Sequence, residues 1–310
     1  GQPKGMVRTH AFLLAQHEAL RHSIALEQGE TDLTTLPVFV LANLASGVTS
    51  VLADIRLSNP QEACAKRIAR QIDRHRITRS AGSPAFYAAL ADSAGRYGAS
   101  FGEIRKLYTG GAPLFPSNLQ KIRRAFPQSR VSVVYGSTEA EPIAEIPAEL
   151  YEQALMLPGS PGLPAGRPVP QIELVILRHG AWPETGELGR AAFREAVCGP
   201  TEAWEILVAG PHVGKGYLRR RGETEQKLRV EGGVWHRTGD AGFLDPGGHL
   251  WLLGRVSAAL HQADGSWLCP FAVERLLDGF PGLARGAFLE IDGKPAVILE
   301  PECGKRLDRE

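Results

Sequence analysis

The chain has 310 residues, of which 43% are hydrophobic and 22% charged, and its formal net charge is +1. This length predicts about two domains with full cores, and the balanced charge argues against a nucleic-acid or membrane-surface partner. The sequence also has no apolar run of the roughly eighteen residues that a transmembrane helix requires. Four cysteines lie far apart without metal-ligand spacing, which predicts free thiols in a cytoplasmic protein: Cys64, Cys198, Cys269 and Cys303.

Predicted helices and strands alternate over the first part of the chain. Apolar residues at helical spacing predict helices over residues 9–26, 60–74, 84–94 and 116–126. Apolar and β-branched runs predict strands at residues 33–40, with a break at Pro37, and at 77–81, 104–108 and 130–135. The small apolar residues of 42–52 predict a buried segment. This alternation indicates an α/β fold, in which layers of parallel sheet are flanked by helices.

The pattern changes after about residue 165. Short β-type runs follow at residues 172–177, 188–193, 205–209, 234–236 and 250–253, separated by glycine and proline. They predict a β-barrel-like subdomain. From residue 256 a helix at 270–277 and strands at 287–291 and 296–300 indicate the start of a small α+β domain. We therefore expect a large domain over 1–255, α/β to 165 and mainly β over 166–255, and a partial C-terminal domain over 256–310.

One short polar run follows the apolar segment 131–134, so it is predicted to lie at the carboxyl end of a buried strand: Tyr135, Gly136, Ser137, Thr138 and Glu139. Open α/β sheets bind their ligands at this edge. The run supplies an aromatic face, a bare backbone, two hydroxyls and a carboxylate, which suit a nucleotide and Mg²⁺. A helix cap is the alternative interpretation of Thr138 and Glu139. Glu141 is predicted to be a solvated carboxylate.

Three further runs, in the expected order, make the chain resemble the adenylate-forming superfamily: Gly110-Gly111-Ala112-Pro113-Leu114, Thr238-Gly239-Asp240 and Gly254-Arg255. That family comprises acyl-CoA synthetases, peptide-synthetase adenylation domains and luciferases. The first five residues, Gly1-Gln2-Pro3-Lys4-Gly5, look like the second half of its phosphate loop. The family's lysine near the far C-terminus has no counterpart in 301–306. We therefore expect a chain that is truncated at both ends and inactive on its own.

The resemblance implies ATP and Mg²⁺ as ligands and assigns roles to individual residues. Tyr135 would pack against the adenine, Thr138 would contact the α-phosphate, and Glu139 would bind Mg²⁺. Lys4 would serve the β- and γ-phosphates, and Asp240 would accept hydrogen bonds from the ribose hydroxyls. The remaining expected nucleotide contacts are Gly110, Gly111, Ala112, Pro113, Gly136, Ser137 and Arg255. Arg255 would also begin a hinge at 255–258, about which the C-terminal domain rotates.

The implied reaction joins ATP to a small-molecule carboxylic acid, giving acyl-AMP, which either CoA or the substrate's own β-hydroxyl then resolves. The expected acyl-site residues are Phe39, Asn43 and Gly111. Phe39 stands where many acyl-CoA synthetases have histidine, and Gln262 lies near a position where lysine is common. These departures look more like the subgroup that closes β-hydroxy fatty acids to β-lactones in olefin synthesis. The competing class is a nucleotide-binding remnant without turnover. The oligomeric state is not predicted.

Three other motifs have simpler interpretations. Residues 98–102 match the nucleophile elbow of hydrolases, but a helical pattern precedes them and a strand follows, the reverse of what that motif requires. Residues 207–217 are predicted to be structural, since a Walker loop would need a longer spacing and a hydroxyl after its lysine. A basic segment is predicted to be a solvated helix face rather than a nucleic-acid surface: Lys66, Arg67, Arg70, Arg74, Arg76 and Arg79.

Overall fold

A computed structural model describes residues 5–56, 63–157, 162–183, 186–218, 227–262 and 266–302. The chain divides into two compact units. The α/β unit comprises Thr9–Glu152 and Val169–Gln171, and the β-rich unit comprises Gly1–Arg8, Gln153–Pro168 and the chain from Ile172 onward. The chain after residue 255 thus clusters with the β-rich unit, and the boundary predicted there stays a prediction.

The α/β unit contains a sheet in the order β2-β1-β3-β4-β5-β6. Its first five strands are parallel, and only β6 runs antiparallel to its neighbour, β5. The strands are β1 (Thr31–Thr34), β2 (Thr49–Leu52), β3 (Arg79–Gly82), β4 (Lys106–Gly110), β5 (Arg130–Ser137) and β6 (Ala140–Pro147). The predicted parallel sheet flanked by helices is therefore confirmed.

Helices alternate with these strands, and local sequence explains where several of them begin. The side chains of Thr9 and Ser83 accept hydrogen bonds from backbone amides in the first turns of α1 and α4, and this satisfies amides that a helix start leaves unpaired. The helices are α1 (His10–Ser23), α2 (Val38–Ala45), α3 (Ala65–His75), α4 (Pro84–Tyr97), α5 (Pro116–Ala125) and α6 (Ala148–Leu155).

The β-rich unit contains an antiparallel sheet in the order β7-β13-β12-β10-β8. Strand β11 pairs antiparallel with β12 and parallel with the short β9. The elements are β7 (Leu163–Pro168), β8 (Glu173–Leu177), β9 (Glu187–Leu188), α7 (Arg190–Ala196), β10 (Trp204–Ala209), β11 (Lys227–Val230), β12 (Gly233–Leu244) and β13 (Leu250–Arg255). Most of the β-type runs that predict the β-barrel-like subdomain are therefore strands of this antiparallel sheet.

A single 3-10 turn, Val256–Ala258, follows β13 and lies in the predicted hinge. Beyond it come the hairpin of β14 (Leu260–His261) and β15 (Trp267–Leu268), then α8 (Pro270–Leu277), then the hairpin of β16 (Leu283–Ile291) and β17 (Lys294–Pro301). Trp267 packs against Trp204 of β10 with 4.2 Å between ring centroids. Helix α8 begins and ends as predicted.

Three local predictions are wrong. Residues 38–40 begin α2 rather than continuing a strand, and 190–193 lie in α7 rather than in a strand. Within the segment predicted to be buried, Leu44 is 75% exposed. Short apolar runs do not distinguish a strand from one or two turns of helix. Pro37 therefore marks the start of a helix, at its N-cap, and not a break within a strand.

Arg79, predicted to be solvated, is fully buried at the amino end of β3. It forms ion pairs with Glu30 at 2.7 Å and Asp32 at 3.5 Å, and it donates to the carbonyls of Ile24 and Ala25. Burial raises the pKa of Asp32, although hydrogen bonds and the charge of Arg79 oppose the shift. The pKa of Glu30 is lowered, because bonds to Lys106 and Arg79 outweigh the effect of burial.

Within the described residues, every helix is too short or too polar to cross a membrane. The described cysteines, Cys64, Cys198 and Cys269, are free thiols, as predicted. Burial raises the pKa of the Cys269 thiol to about 11, which makes that thiol unreactive at neutral pH. Cys303 lies outside the described residues.

Candidate functional site

The polar run 135–139 forms the turn of the β5–β6 hairpin. Tyr135, Gly136 and Ser137 are the last residues of β5, and β6 begins at Ala140. The hydroxyl of Ser137 accepts a hydrogen bond of 3.2 Å from the backbone amide of Glu139. Thr138 is exposed and Glu139 half-buried. Since no helix starts here, the helix-cap interpretation is wrong, and the turn instead presents a hydroxyl and a carboxylate at the carboxyl end of β5.

Gly136 allows the hairpin to close at this point. A Cβ atom there would overlap the carboxylate of Glu141 and lie 3.0 Å from the carbonyl oxygen of Ala140. The strand register also shifts between Tyr135 and Ser137, and such a bulge re-aims the side chains next to it. Glu141 is therefore not the solvated carboxylate that we expected, because it is half-buried against Gly136.

The Gly110–Gly111 turn lies beside this hairpin in the α/β unit. Gly110 ends β4 directly opposite Val134 of β5, the residue before Tyr135. A Cβ at Gly110 would overlap the carbonyl oxygen of Val134. Gly111 has φ +77° and is exposed, as are Ala112 and Pro113. The structure thus brings two of the predicted nucleotide-contacting runs to the same edge of adjacent strands.

The far end of this turn is held by a residue that the sequence did not single out. The hydroxyl of Tyr151 in α6 donates a hydrogen bond to the carbonyl of Leu114, and both side chains are buried. Arg123 of α5 fixes α6 in turn, through bonds of 2.6 Å to both Glu149 and Glu152. No helix is predicted over 148–155, so no signal in the sequence places Tyr151 beside the turn.

The expected acyl-site residues lie on or beside α2 and the glycine turn. Phe39 is buried in an apolar cluster that includes Tyr108 and Val134. Asn43 is fully buried, and its amide donates at 2.9 Å to both Asp32 and Ser50. This argues against the expected acyl-site role of Asn43, because the side chain belongs to the buried polar network around Arg79. Gly111 is accessible at the turn.

In the β-rich unit, the Thr238-Gly239-Asp240 run lies within β12. Asp240 Oδ1 is 2.8 Å from Arg255 Nη1, and the two residues are paired in register on β12 and β13. The hydroxyl of Thr238 donates to the carbonyl of Ile206 at 3.0 Å and accepts from the amide of Asp240 at 3.1 Å. These bonds orient the half-buried Asp240 carboxylate, and Arg255 neutralises part of its charge.

Lys4 lies outside the described residues, but Gly5 and Met6 belong to the β-rich unit. The backbone amide of Leu218 donates to the carbonyl of Gly5 at 2.7 Å, and Met6 forms an antiparallel bridge with Tyr217. Gly5 and Met6 are therefore held by Leu218 and Tyr217, at the end of the run 207–217 that the sequence predicts to be structural.

The donor set at the hairpin turn fits Mg²⁺. Mg²⁺ prefers oxygen ligands and usually takes one or two carboxylates together with substrate phosphates. Glu139 supplies a carboxylate, with the hydroxyls of Ser137 and Thr138 beside it in the turn. Within the described part of the chain, no group of three or more His, Cys, Asp or Glu residues could hold a metal. A magnesium ion here would therefore depend on the nucleotide for most of its ligands.

The chain is similar to a known enzyme family and to several known proteins. The profile of the AMP-binding enzyme family matches residues 1–218. An olefin beta-lactone synthetase of Xanthomonas campestris is 30% identical over 98% of this chain and 55% of its own length. The corresponding protein of Stenotrophomonas maltophilia is 31% identical over 96% of this chain and 54% of its own length. The chain thus spans about half the length of these curated relatives.

Solved structures give the same result for the fold. An O-succinylbenzoate coenzyme A synthetase from Bacillus subtilis, in complex with AMP, covers 99% of this chain with 26% identity and a TM-score of 0.75. The same enzyme in complex with ATP and a magnesium ion covers 97% with a TM-score of 0.74. In each case the match extends over 58% of the neighbour's chain.

Proposed function

Because this chain belongs to the AMP-binding enzyme family, we propose that its protein activates a carboxylic acid with ATP to form acyl-AMP. The observation that carries this proposal is the hairpin turn with Thr138 and Glu139, directly beside the Gly110–Gly111 turn at the carboxyl edge of the sheet. In this arrangement the glycine backbone leaves room for the adenine ring, the Thr138 hydroxyl can bind a phosphate, and the Glu139 carboxylate can bind a cation.

In the proposed reaction, a carboxylate oxygen of the acid attacks the α-phosphorus of ATP. The bond from that phosphorus to the bridging oxygen breaks, and pyrophosphate leaves. No proton is transferred in this step, so the protein positions the reactants and compensates charge rather than forming a covalent intermediate. Thr138 donates to an α-phosphate oxygen, Tyr135 packs against the adenine, and Asp240 accepts hydrogen bonds from the ribose hydroxyls.

Glu139 would hold the magnesium ion that accompanies the nucleotide. Bound there, Mg²⁺ would offset the negative charge on the phosphate oxygens. Arg255 keeps the Asp240 carboxylate oriented through its 2.8 Å ion pair. Lys4 would approach the β- and γ-phosphates, a role that suits a compact ammonium on a long stem.

For the acid, we propose a long-chain fatty acid with a β-hydroxyl group. The similarity to two olefin beta-lactone synthetases supports this subgroup, and the buried Phe39 supports an apolar environment on α2. After activation, the substrate's β-hydroxyl oxygen would attack the acyl carbon, its proton passing to a base, and AMP would leave. The similarity to 2-succinylbenzoate–CoA ligase of Bacillus subtilis supports CoA as the alternative acceptor.

The test of activation is carboxylate-dependent exchange of labelled pyrophosphate into ATP by the intact natural protein. We expect exchange with at least one member of a panel of short, long and 3-hydroxy fatty acids. Binding of ATP and AMP to the 310-residue chain, measured by calorimetry, tests the nucleotide site independently of turnover. Nucleotide binding without exchange by the intact protein would favour the remnant module, and the absence of both would refute the proposal.

A further inference from the structure

Lys227, the first residue of β11, is unusual because lysine side chains are rarely buried and this residue is only 6% exposed. Its ammonium group donates a hydrogen bond to the backbone carbonyl of Gly214. It also lies 5.7 Å from the centroid of the Tyr217 ring, within the range of a cation–π contact. Gly214 and Tyr217 are the two ends of one turn, so Lys227 connects both of them.

That turn supports the segment at Gly5 and Met6. The amide of Leu218 donates to the carbonyl of Gly5, and Met6 bridges to Tyr217. A Cβ atom at Gly214 would overlap the sulfur of Met6, so the Met6 side chain lies directly on the glycine. The turn that Lys227 holds is thus the surface on which the residues after the predicted phosphate loop rest.

Lys227 is also connected to the strand that carries Asp240. In the antiparallel pairing of β11 with β12, Lys227 lies opposite His236, which is buried. Strand β12 continues from His236 through Thr238 to Asp240. Lys227 thus contacts the Gly214–Tyr217 turn through its side chain and lies, through its strand, beside the strand that carries Asp240.

We propose that Lys227 is a positioning residue for the segment that contacts the β- and γ-phosphates of ATP. The inference rests on the proposed function, in which the segment ending at Gly5 serves those phosphates. Lys227 acts through Gly214 and Tyr217, and the nucleotide itself does not touch it. A buried ammonium that loses its acceptor is costly, so the charge and the turn hold each other in one geometry.

The test replaces Lys227 by methionine, which keeps the length of the side chain but removes the charge and the hydrogen bond. AMP lacks the β- and γ-phosphates, so a positioning role affects ATP and pyrophosphate more than AMP. We expect Lys227→Met to weaken ATP binding about tenfold, or about 1.4 kcal/mol, and AMP binding by less than about twofold. Amide exchange at Leu218 should become faster, because its acceptor, Gly5, is no longer held.

The matched control is Arg229→Met, which removes one positive charge from the same strand. Arg229 is exposed, and its distance to Glu187 is 3.9 Å, so neither affinity should change. If Lys227→Met does not fold, Met6→Ala loosens the same contact without disturbing the buried charge, and it should reduce ATP affinity selectively as well.

The outcomes separate this inference from the proposed function. Equal losses of ATP and AMP affinity, or no loss of either, would overturn the role of Lys227 while leaving nucleotide binding intact. A parent protein that binds neither nucleotide would refute the proposed function, and the role of Lys227 with it. A selective loss for ATP, together with faster exchange at Leu218, would establish the positioning role.

Discussion

At the scale of single residues, Glu139 is the side chain on which the proposed chemistry depends most. We expect Glu139→Gln to fold normally and to lose pyrophosphate exchange, because an amide is a much poorer Mg²⁺ ligand than a carboxylate. Glutamine keeps the size of the side chain, so the hairpin turn should be preserved. Exchange is measured over a range of Mg²⁺ concentrations.

The control for Glu139 is Glu103→Gln, which removes the same charge from an exposed position before the amino end of β4. That variant should keep the exchange activity of the parent. If Glu139→Gln reaches near-normal exchange at saturating Mg²⁺, Glu139 is not the metal ligand.

Asp240 is the second residue whose role can be measured separately. Removing a hydrogen bond to a charged group costs about 1.5–3 kcal/mol, so Asp240→Ala should weaken ATP binding by at least tenfold, which is about 1.4 kcal/mol. In the parent, 2′-deoxy-ATP should bind less tightly than ATP because one ribose hydroxyl is missing. In the variant this difference should largely disappear.

The comparison of the two nucleotides serves as the internal control for Asp240. Loss of the Arg255 ion pair affects both nucleotides equally, whereas loss of the ribose contact affects ATP more. If 2′-deoxy-ATP remains as disfavoured in Asp240→Ala as in the parent, Asp240 does not bind the ribose.

The residue scale also shows what the sequence could predict of the site. The position of Gly110 opposite the strand of Tyr135 follows from parallel strands ending at one edge. The buried roles of Asn43 and Lys227 do not follow from sequence, because both depend on partners outside their own helix or strand: Asp32 and Ser50 for the amide, and Gly214 for the ammonium. A polar residue in an apolar run is equally consistent with a ligand contact and with an internal network.

At the scale of structural elements, the amino edge of the α/β sheet contains a buried charge network around Arg79. Removing one member of a buried ion pair leaves its partner uncompensated. We expect Arg79→Met to lower the free energy of unfolding by about 3–5 kcal/mol at neutral pH. Chemical denaturation followed by circular dichroism measures this change.

The loss of stability in Arg79→Met should depend on pH, and the pKa of the buried Asp32 determines whether the loss grows or shrinks as the pH rises. Burial already raises the folded-state pKa of Asp32, and loss of the arginine charge should raise it further. When a carboxyl group has a higher pKa in the folded than in the unfolded state, the protein becomes less stable as the pH rises above the unfolded-state pKa, which is about 3.9 for aspartate. The destabilisation should therefore be smaller at pH 5 than at pH 8.

Arg285→Met is the matched control for that experiment. Its ion pair with Glu300 has a comparable distance of 2.8 Å, but both side chains are exposed. Exposed pairs contribute about 0–1 kcal/mol, so this variant should differ little from the parent at either pH. A comparable loss in both variants would contradict the importance of burial at Arg79.

Helices were predicted correctly where apolar residues at helical spacing coincided with residues that typically begin a helix. Helix α8 and the start of α4 have proline in the first turn and apolar residues at helical spacing. It failed at α2 and α7, where a short apolar run fits either a strand or a helix. It also missed α6, which follows β6 without an intervening loop. In these cases tertiary packing, not local propensity, selects the conformation.

At the scale of the whole molecule, family membership constrains the first chemical step more than the second. Enzymes that share a fold can use different acceptors. Some relatives of this chain are beta-lactone synthetases and others are CoA ligases, and the chain spans about half the length of each. Similarity to relatives of both kinds leaves the acceptor open, so analysis of the reaction products must identify it.

The final prediction concerns that acceptor. We expect the intact natural protein, given ATP and a 3-hydroxy fatty acid, to release AMP without CoA and to form a β-lactone. The product would be lighter than the free acid by the mass of one water, because the β-hydroxyl replaces AMP on the acyl carbon. The matched substrate control is the fatty acid of equal length without the hydroxyl, which should form acyl-AMP but no lactone. Mass spectrometry of both reactions, with and without CoA, separates the alternatives. A CoA thioester as the sole product would refute lactone closure and leave carboxylate activation intact.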